Sequence, residues 1–202
     1  VAIIGLILLL WLLPLWLGRR FKAVWGLWIL SLAVVAWIAL FPGREQSPQE
    51  LRSAYVASLE SYLGTPFVWG GETRGGIDCS GFVRRGMIDT LWNRGWRSGD
   101  PLLVRRAIGL WLFDNSASAL GEGYRGNTVP RFKSRSLNSA DYLDMRLGDV
   151  AVTGNGGHTL AYICDSSWIE ADPTAGKVVL AGVPSKSDWF RMAVKIMRWQ
   201  WL

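Results

Sequence analysis

The sequence is poor in residues that bind metals, with one histidine and two cysteines in 202 residues. Zinc sites need three or four Cys, His or carboxylate ligands at a recognisable spacing, and the sequence has no such cluster. The glycine-rich stretch "GGETRGG" at 70–76 lacks the Lys-Ser/Thr pair of a phosphate-binding loop. We therefore expect no metal and no cofactor.

Charged residues are missing from two long stretches near the N-terminus, residues 1–17 and 23–42. A helix needs about 20 apolar residues to cross the hydrocarbon core of a membrane. The second stretch has that length; the first is slightly short, and because the chain starts with Val1 we expect further residues before it. We predict a transmembrane helical hairpin over 1–43 and a separate domain over 44–202. Two buried core helices are the alternative, although uncharged runs this long are rare in globular cores.

Three basic residues, Arg19, Arg20 and Lys22, crowd the short turn between these stretches. Basic residues in short loops stay in the cytoplasm. The tip of the hairpin is therefore predicted to be cytoplasmic. Everything after Pro42 would then lie on the periplasmic or extracytoplasmic side of a bacterial inner membrane. The reverse topology, with a regulatory or toxin-like enzyme in the cytoplasm, is the alternative.

The net charge of the chain is +6. A basic surface can bind nucleic acid, but the predicted location and the absence of a nucleic-acid motif argue against that partner. Attraction to anionic lipid headgroups or to an anionic wall polymer fits better. A solvated basic face is the commonest explanation of such a charge.

The remainder of the chain predicts helices first and strands afterwards. A helix over 47–64 has Ser47 as N-cap and ends at Gly64. A second helix starts at Cys79, and residues 101–113 have the pattern of a third, amphipathic helix. This order is typical of an α+β fold with helices packed on a small antiparallel sheet.

Residues 121–139 look like a long loop, which we expect near the functional site. From Gly148 onward the pattern is that of short strands, among them 158–164 and 167–172. The whole segment 96–145 has no assigned role.

Cys79 is a candidate nucleophile because it lies in the first turn of a predicted helix, where free N–H groups and the helix dipole favour a thiolate. Asp78 could cap that helix. The alternative is a small apolar residue in a buried corner. His158 is the one histidine of the sequence and would be the base that a cysteine nucleophile needs.

A carboxylate just downstream could hold the His158 tautomer, and the candidates are Glu170 and Asp172. They are two residues apart, so both face one side of the sheet. Cys164 lies about 20 Å along the strand from His158, too far for Cys79 to reach both. We therefore expect Cys164 to be a buried thiol rather than a disulfide partner.

Five spaced motifs resemble, in order, those of the NlpC/P60 family of cell-wall cysteine peptidases. They are "YLGTPFVWGG" at 62–71, "GGIDCSGFV" at 75–83, "LGDVAV" at 147–152, "GHTLAYI" at 157–163 and "WIEADP" at 168–173. The resemblance covers the chain from about residue 48 to its end. It implies a papain-like fold and cleavage of amide bonds in peptidoglycan stem peptides, often after D-glutamate. It also implies that Cys79 is the nucleophile, His158 the base and Glu170 the third catalytic residue. If Glu170 is instead a surface acidic residue, Asp172 is the alternative third residue.

Two positions depart from the family pattern. The third residue is usually His, Asn or Gln, where this chain has Glu170. A tyrosine is often found where this chain has Phe67, so a backbone N–H of Cys79 or Ser80 would bind the oxyanion instead. Trp69 and Asp78 also belong to the predicted surroundings of the substrate.

Two other functions are compatible with these residues. One is a thiol amidase or acyltransferase acting on a lipid or small amide, to which the hairpin would present the site. The other is a non-catalytic wall-binding module with a protein partner in a membrane assembly.

Overall fold

The computed structural model describes Leu12, Gly18 and residues 20–44, 46–113 and 116–202. The chain divides into two compact units, Val1–Gly43 and Arg44–Leu202. In the first unit, helix α1 spans Lys22–Leu40, with a mean hydropathy of 2.2 and no buried residue. Among the described residues, α1 is the one helix long and apolar enough to cross a membrane. The other predicted span, residues 1–17, lies outside the described residues except for Leu12.

Among the described residues of the second unit there are five α-helices. They are α2 Pro48–Glu60, α3 Cys79–Ser98, α4 Pro101–Leu112, α5 Ala117–Glu122 and α6 Asp188–Arg191. The capping signals in the sequence set the starts of α2 and α3. The Ser47 hydroxyl accepts the Glu50 N–H at 3.5 Å, and the Asp78 carboxylate accepts the Gly81 N–H at 2.6 Å. Both helices start where the sequence predicts.

Six strands of the described part of the chain form an antiparallel sheet: β3 Thr128–Ser134, β4 Val150–Thr153, β5 His158–Cys164, β6 Ser167–Asp172, β7 Lys177–Gly182 and β8 Val194–Trp199. Their order in the sheet is β3-β8-β4-β5-β6-β7. Two short strands, β1 Glu72–Thr73 and β2 Gly76–Ile77, form a separate hairpin before α3. The α+β prediction is confirmed, and β5 pairs with β6 in the sheet.

The prediction of a long loop over 121–139 is wrong, because β3 lies within this segment. It is an edge strand paired only with β8, and its register shifts between Pro130 and Phe132. Proline has no N–H to donate and is tolerated at such an edge. Most side chains of β3 are exposed or half-buried, so the alternation that would have indicated a strand is weak.

Both faces of the sheet carry a hydrophobic cluster. On one face, helices α2, α3 and α4 bury residues such as Tyr55 and Phe82 together with Ile169. On the other, Trp168 and Phe190 are fully buried. Strands β5 and β6 are thus covered on both sides, so polar side chains on them are buried as well.

A buried ion pair joins β8 to the start of β4. The Arg198 guanidinium donates to both carboxylate oxygens of Asp149, at 2.6 and 2.7 Å, and Asp149 also accepts the Arg146 N–H at 2.9 Å. Both side chains are almost fully buried. Removal of one member of such a pair leaves an uncompensated buried charge.

Arg198→Met is therefore expected to lower the free energy of unfolding by about 3–5 kcal/mol. Urea denaturation of the full chain in detergent measures this loss. Arg131→Met, an exposed basic residue on β3, is the control and should change stability by less than about 0.5 kcal/mol. Equal stability of the two variants would contradict the prediction.

Candidate active site

His158 is the first residue of β5 and is almost fully buried, with 1% of its surface exposed. Its Nε2 atom is 2.6 Å from the Oε2 atom of Glu170, which is equally buried. Because Glu170 lies on β6, the hydrogen bond joins two neighbouring strands. The imidazole orientation is thus fixed by a carboxylate within the sheet.

The register of β5 and β6 places these two side chains on the same face. Ala161 is opposite Ile169, and counting along both strands brings Glu170 opposite Leu160. Glu170 is then a diagonal neighbour of His158, within reach of a long side chain. A bulge between Tyr162 and Cys164 produces this register. Without it, Glu170 would face Ala161 and point to the other side of the sheet.

Cys79, at the N-terminus of α3, is hydrogen-bonded to the same imidazole. Burial by itself would lower the pKa of His158. Hydrogen bonds to Cys79 and Glu170, and the charges of both groups, outweigh burial and raise the pKa of His158 to about 9. With Nε2 held by Glu170, Nδ1 is the nitrogen left to exchange a proton with the Cys79 thiol. A thiol, an imidazole and a carboxylate in this order can perform nucleophilic catalysis.

The NlpC/P60 family model matches residues 64–100, which contain the glycine-rich loop, Cys79 and helix α3. This segment of the chain is therefore similar to the NlpC/P60 family. Protein P54 of Enterococcus faecium is 56% identical to this chain over 32 residues. These residues are 16% of this chain and 6% of that protein, so the chain matches only a small part of the relative's length.

Two solved structures have a fold similar to that of this chain. An NlpC/P60 family protein from Bacillus cereus ATCC 10987 is 16% identical, with a TM-score of 0.50 over 78% of this chain and 41% of that chain. An N-acetylmuramoyl-L-alanine amidase from Bacteroides uniformis ATCC 8492 is 11% identical, with a TM-score of 0.53 over 74% of this chain and 99% of that chain. The family resemblance seen in the motifs is confirmed.

Asp78 connects the glycine-rich loop to the start of α3. Its carboxylate accepts the Gly70 N–H at 2.9 Å and the Ser80 hydroxyl at 3.1 Å, besides the Gly81 N–H. Among the hydrogen bonds of the described residues, none uses the N–H groups of Cys79 and Ser80. The helix start therefore presents free donors beside the thiol.

The aromatic residues predicted near the substrate have different environments. Phe67 is half-buried against the core, and its N–H donates to the Gly176 carbonyl at 2.8 Å. Trp69 is 83% exposed and is free to contact a ligand. The two residues therefore differ in what they could contribute to binding.

Among the described residues, two other predicted residues form no hydrogen bond with the imidazole. Asp172 accepts the Thr174 N–H at 2.8 Å and closes the turn after β6. In the described structure, the His158 imidazole is thus hydrogen-bonded to Glu170 rather than to Asp172. Cys164 is a free thiol, but it is exposed at the end of β5, so the prediction of a buried thiol is wrong. The turn that follows at Asp165 lies at the surface, and the last residue of the strand lies there with it.

Trp189 is the residue that sequence reasoning missed. It lies on α6 and stacks on the His158 ring, with centroids 4.4 Å apart and an angle of 18° between the planes. The segment around it has no motif, and nothing in its pattern indicates proximity to β5. An indole face also favours the protonated imidazole, because the ring quadrupole attracts a cation.

Trp189→Ala is expected to reduce kcat/KM roughly 3- to 30-fold, which corresponds to the loss of a cation–π contact of about 0.5–2 kcal/mol. The alkaline limb of the pH–rate profile should also move to lower pH. Trp189→Phe keeps an aromatic face and should retain most of both properties. Trp92→Ala, on the exposed side of α3, is the control. An unchanged pH profile in Trp189→Ala would contradict a role in positioning the imidazole.

Proposed function

We propose that this chain is a cysteine peptidase that hydrolyses amide bonds in peptidoglycan stem peptides. The observation that carries the proposal is the buried His158 imidazole held between the Cys79 thiol and the Glu170 carboxylate. The NlpC/P60 family match supports the enzyme class. The fold shared with a structure named as an N-acetylmuramoyl-L-alanine amidase supports amide hydrolysis in the wall.

In the first half of the reaction, the Cys79 sulfur attacks the carbonyl carbon of the scissile amide. His158 carries the thiol proton and delivers it to the leaving nitrogen as the C–N bond breaks. The products of this half are a free amine and a thioester between substrate and Cys79. The Glu170 carboxylate holds the imidazole and stabilises its protonated form.

In the second half, His158 takes a proton from water, and the resulting hydroxide attacks the thioester. The C–S bond breaks, the thiolate recovers the proton through the imidazole, and a carboxylic acid leaves. The backbone N–H groups of Cys79 and Ser80 are the proposed donors to the oxyanion in both halves. They take the role of the tyrosine hydroxyl that Phe67 cannot supply.

Helix α1 would hold the domain at a membrane and confine its action to nearby wall. It has 19 residues, all apolar or small except Lys22, and this length matches a membrane span. The basic residues that precede it, Arg19 and Arg20, favour a cytoplasmic location for its N-terminal end. The domain over 44–202 would then face the peptidoglycan layer.

The test is the chemistry of the products formed from purified peptidoglycan by the full chain in detergent. Amide hydrolysis releases new amino and carboxyl groups without new reducing sugar ends, and mass spectrometry of the fragments identifies the bond. Heat-denatured protein is the control. Reducing sugar ends, or fragments identical to those of the control, would contradict the proposal. Cleavage between muramic acid and the first alanine would instead assign amidase rather than endopeptidase specificity.

A further inference from the structure

A cavity of about 630 Å³ lies between α5, β3, β8 and the 154–157 turn. Residues of the 96–145 segment, whose role the sequence left open, form much of its wall. Polar and charged side chains line it, among them Glu122, Lys133, Arg135 and Lys195. Cys79, His158 and Glu170 are not among its lining residues, and the proposed reaction does not use the residues that are.

The charges around the cavity are unbalanced. Three basic side chains line it, against one acidic side chain, Glu122, among the described residues. Lys133 and Lys195 are directly opposite each other across the β3–β8 pair. Like charges in that position are destabilising. An anion between them would remove the repulsion.

The free cations are Lys133, on β3, and Arg135, the residue that follows β3. Among the described residues, neither Lys133 nor Arg135 forms an ion pair, and their side chains are available to a ligand. Lys195 donates to the Gly121 carbonyl of α5, which fixes its ammonium group at the cavity wall. The cavity therefore has one positioned cation and two free ones.

The cavity adjoins the candidate active site through the 154–157 turn. Gly156 lines the cavity and is two residues before His158, so at most about 7 Å of chain separates them. Gly156 is packed against α5, since an added Cβ would lie 2.8 Å from the Ser118 Cβ. A peptide bound at Cys79 could thus extend into the cavity.

We propose that this cavity binds a free carboxylate of the peptide substrate, a subsite that selects acidic peptides. The inference rests on the proposed function for the identity of the substrate. Lys133 and Arg135 donate to the carboxylate, and Arg135 can do so through two N–H groups. Lys195 supplies a third positive charge from the cavity wall.

Binding is measured by calorimetry on the full chain in detergent with the Cys79→Ala substitution, so that no hydrolysis intervenes. The probes are soluble muropeptides with free carboxylates and the same muropeptides after amidation. We expect the acidic form to bind more tightly. Lys133→Gln with Arg135→Gln should weaken its binding roughly 10- to 100-fold and leave that of the amidated form unchanged.

The control removes two positive charges elsewhere, with Lys177→Gln and Lys186→Gln, both exposed. Equal binding of the two muropeptide forms, or equal weakening in the control, would overturn the subsite. So would tighter binding of a glycerol-phosphate oligomer, since the cavity would then serve a phosphate polymer. If the binding pattern holds while wild-type protein leaves muropeptides intact, the subsite stands and the proposed hydrolysis fails.

Discussion

Cys79→Ala is expected to reduce kcat/KM on peptidoglycan roughly 10⁴- to 10⁶-fold, the loss seen when an enzyme nucleophile is removed. Without the sulfur, no thioester forms, and the remaining groups can only assist direct attack by water. The side chain is 7% exposed, and alanine fills nearly the same space at the start of α3. The fold should therefore survive the change. Release of amino groups from peptidoglycan is the measurement.

Cys164→Ala is the matched control for Cys79→Ala. Cys164 is the other free thiol, and it is exposed at the end of β5. Its loss should leave kcat/KM within about twofold, as is usual for surface substitutions. Comparable loss of activity in both variants would mean that Cys79 acts through the fold and not as a nucleophile. Full activity of Cys79→Ala would exclude the thiol mechanism.

Glu170→Ala is expected to reduce kcat/KM about 10²- to 10⁴-fold, because the imidazole loses the group that fixes its orientation and tautomer. Glu170→Gln keeps an oxygen acceptor but loses the charge, so its activity should lie between those of Glu170→Ala and the wild type. Asp172→Ala is the control, since that carboxylate closes a turn. A larger loss in Asp172→Ala would assign the orienting role to Asp172.

The pH dependence gives a second measure of Glu170. The carboxylate raises the pKa of His158 to about 9 together with Cys79. In the wild type, kcat/KM should fall as pH rises through about 9, because the leaving amine then lacks a proton donor. Glu170→Ala lowers the pKa of His158, and the fall should begin at lower pH. An unchanged alkaline limb would contradict the coupling.

The stability of the protein should also depend on the protonation of His158. A histidine with a raised folded pKa contributes stability that is complete below its ordinary value of 6.5 and is lost as pH rises through about 9. The Tm of the wild type should therefore fall over this window by more than that of Glu170→Ala. This measurement of the His158 pKa needs no substrate.

Much of the local structure follows from the sequence alone. Ser47 and Asp78 carry the capping signals that start α2 and α3, and the bounds of β5 and β6 match the predicted strands. Local hydrogen bonding and side-chain period decide such features, and both are written in neighbouring residues. The five motifs also indicated the family. Strand β3 was not predicted, because at the edge of the sheet its side chains do not alternate between buried and exposed.

The sequence by itself determined the chemistry available to this protein: one histidine to act as a base, a cysteine at a helix start to attack, and two carboxylates on one face to choose from. Only the tertiary structure decided how they meet. The bulge between Tyr162 and Cys164 shifts the β5–β6 register by one residue, and a shift of one residue moves a side chain to the opposite face. That register brings Glu170 within hydrogen-bond distance of His158, and the packing of α6 on the sheet places Trp189 against the imidazole ring. Neither contact is encoded in local spacing, because each depends on which strands and helices become neighbours.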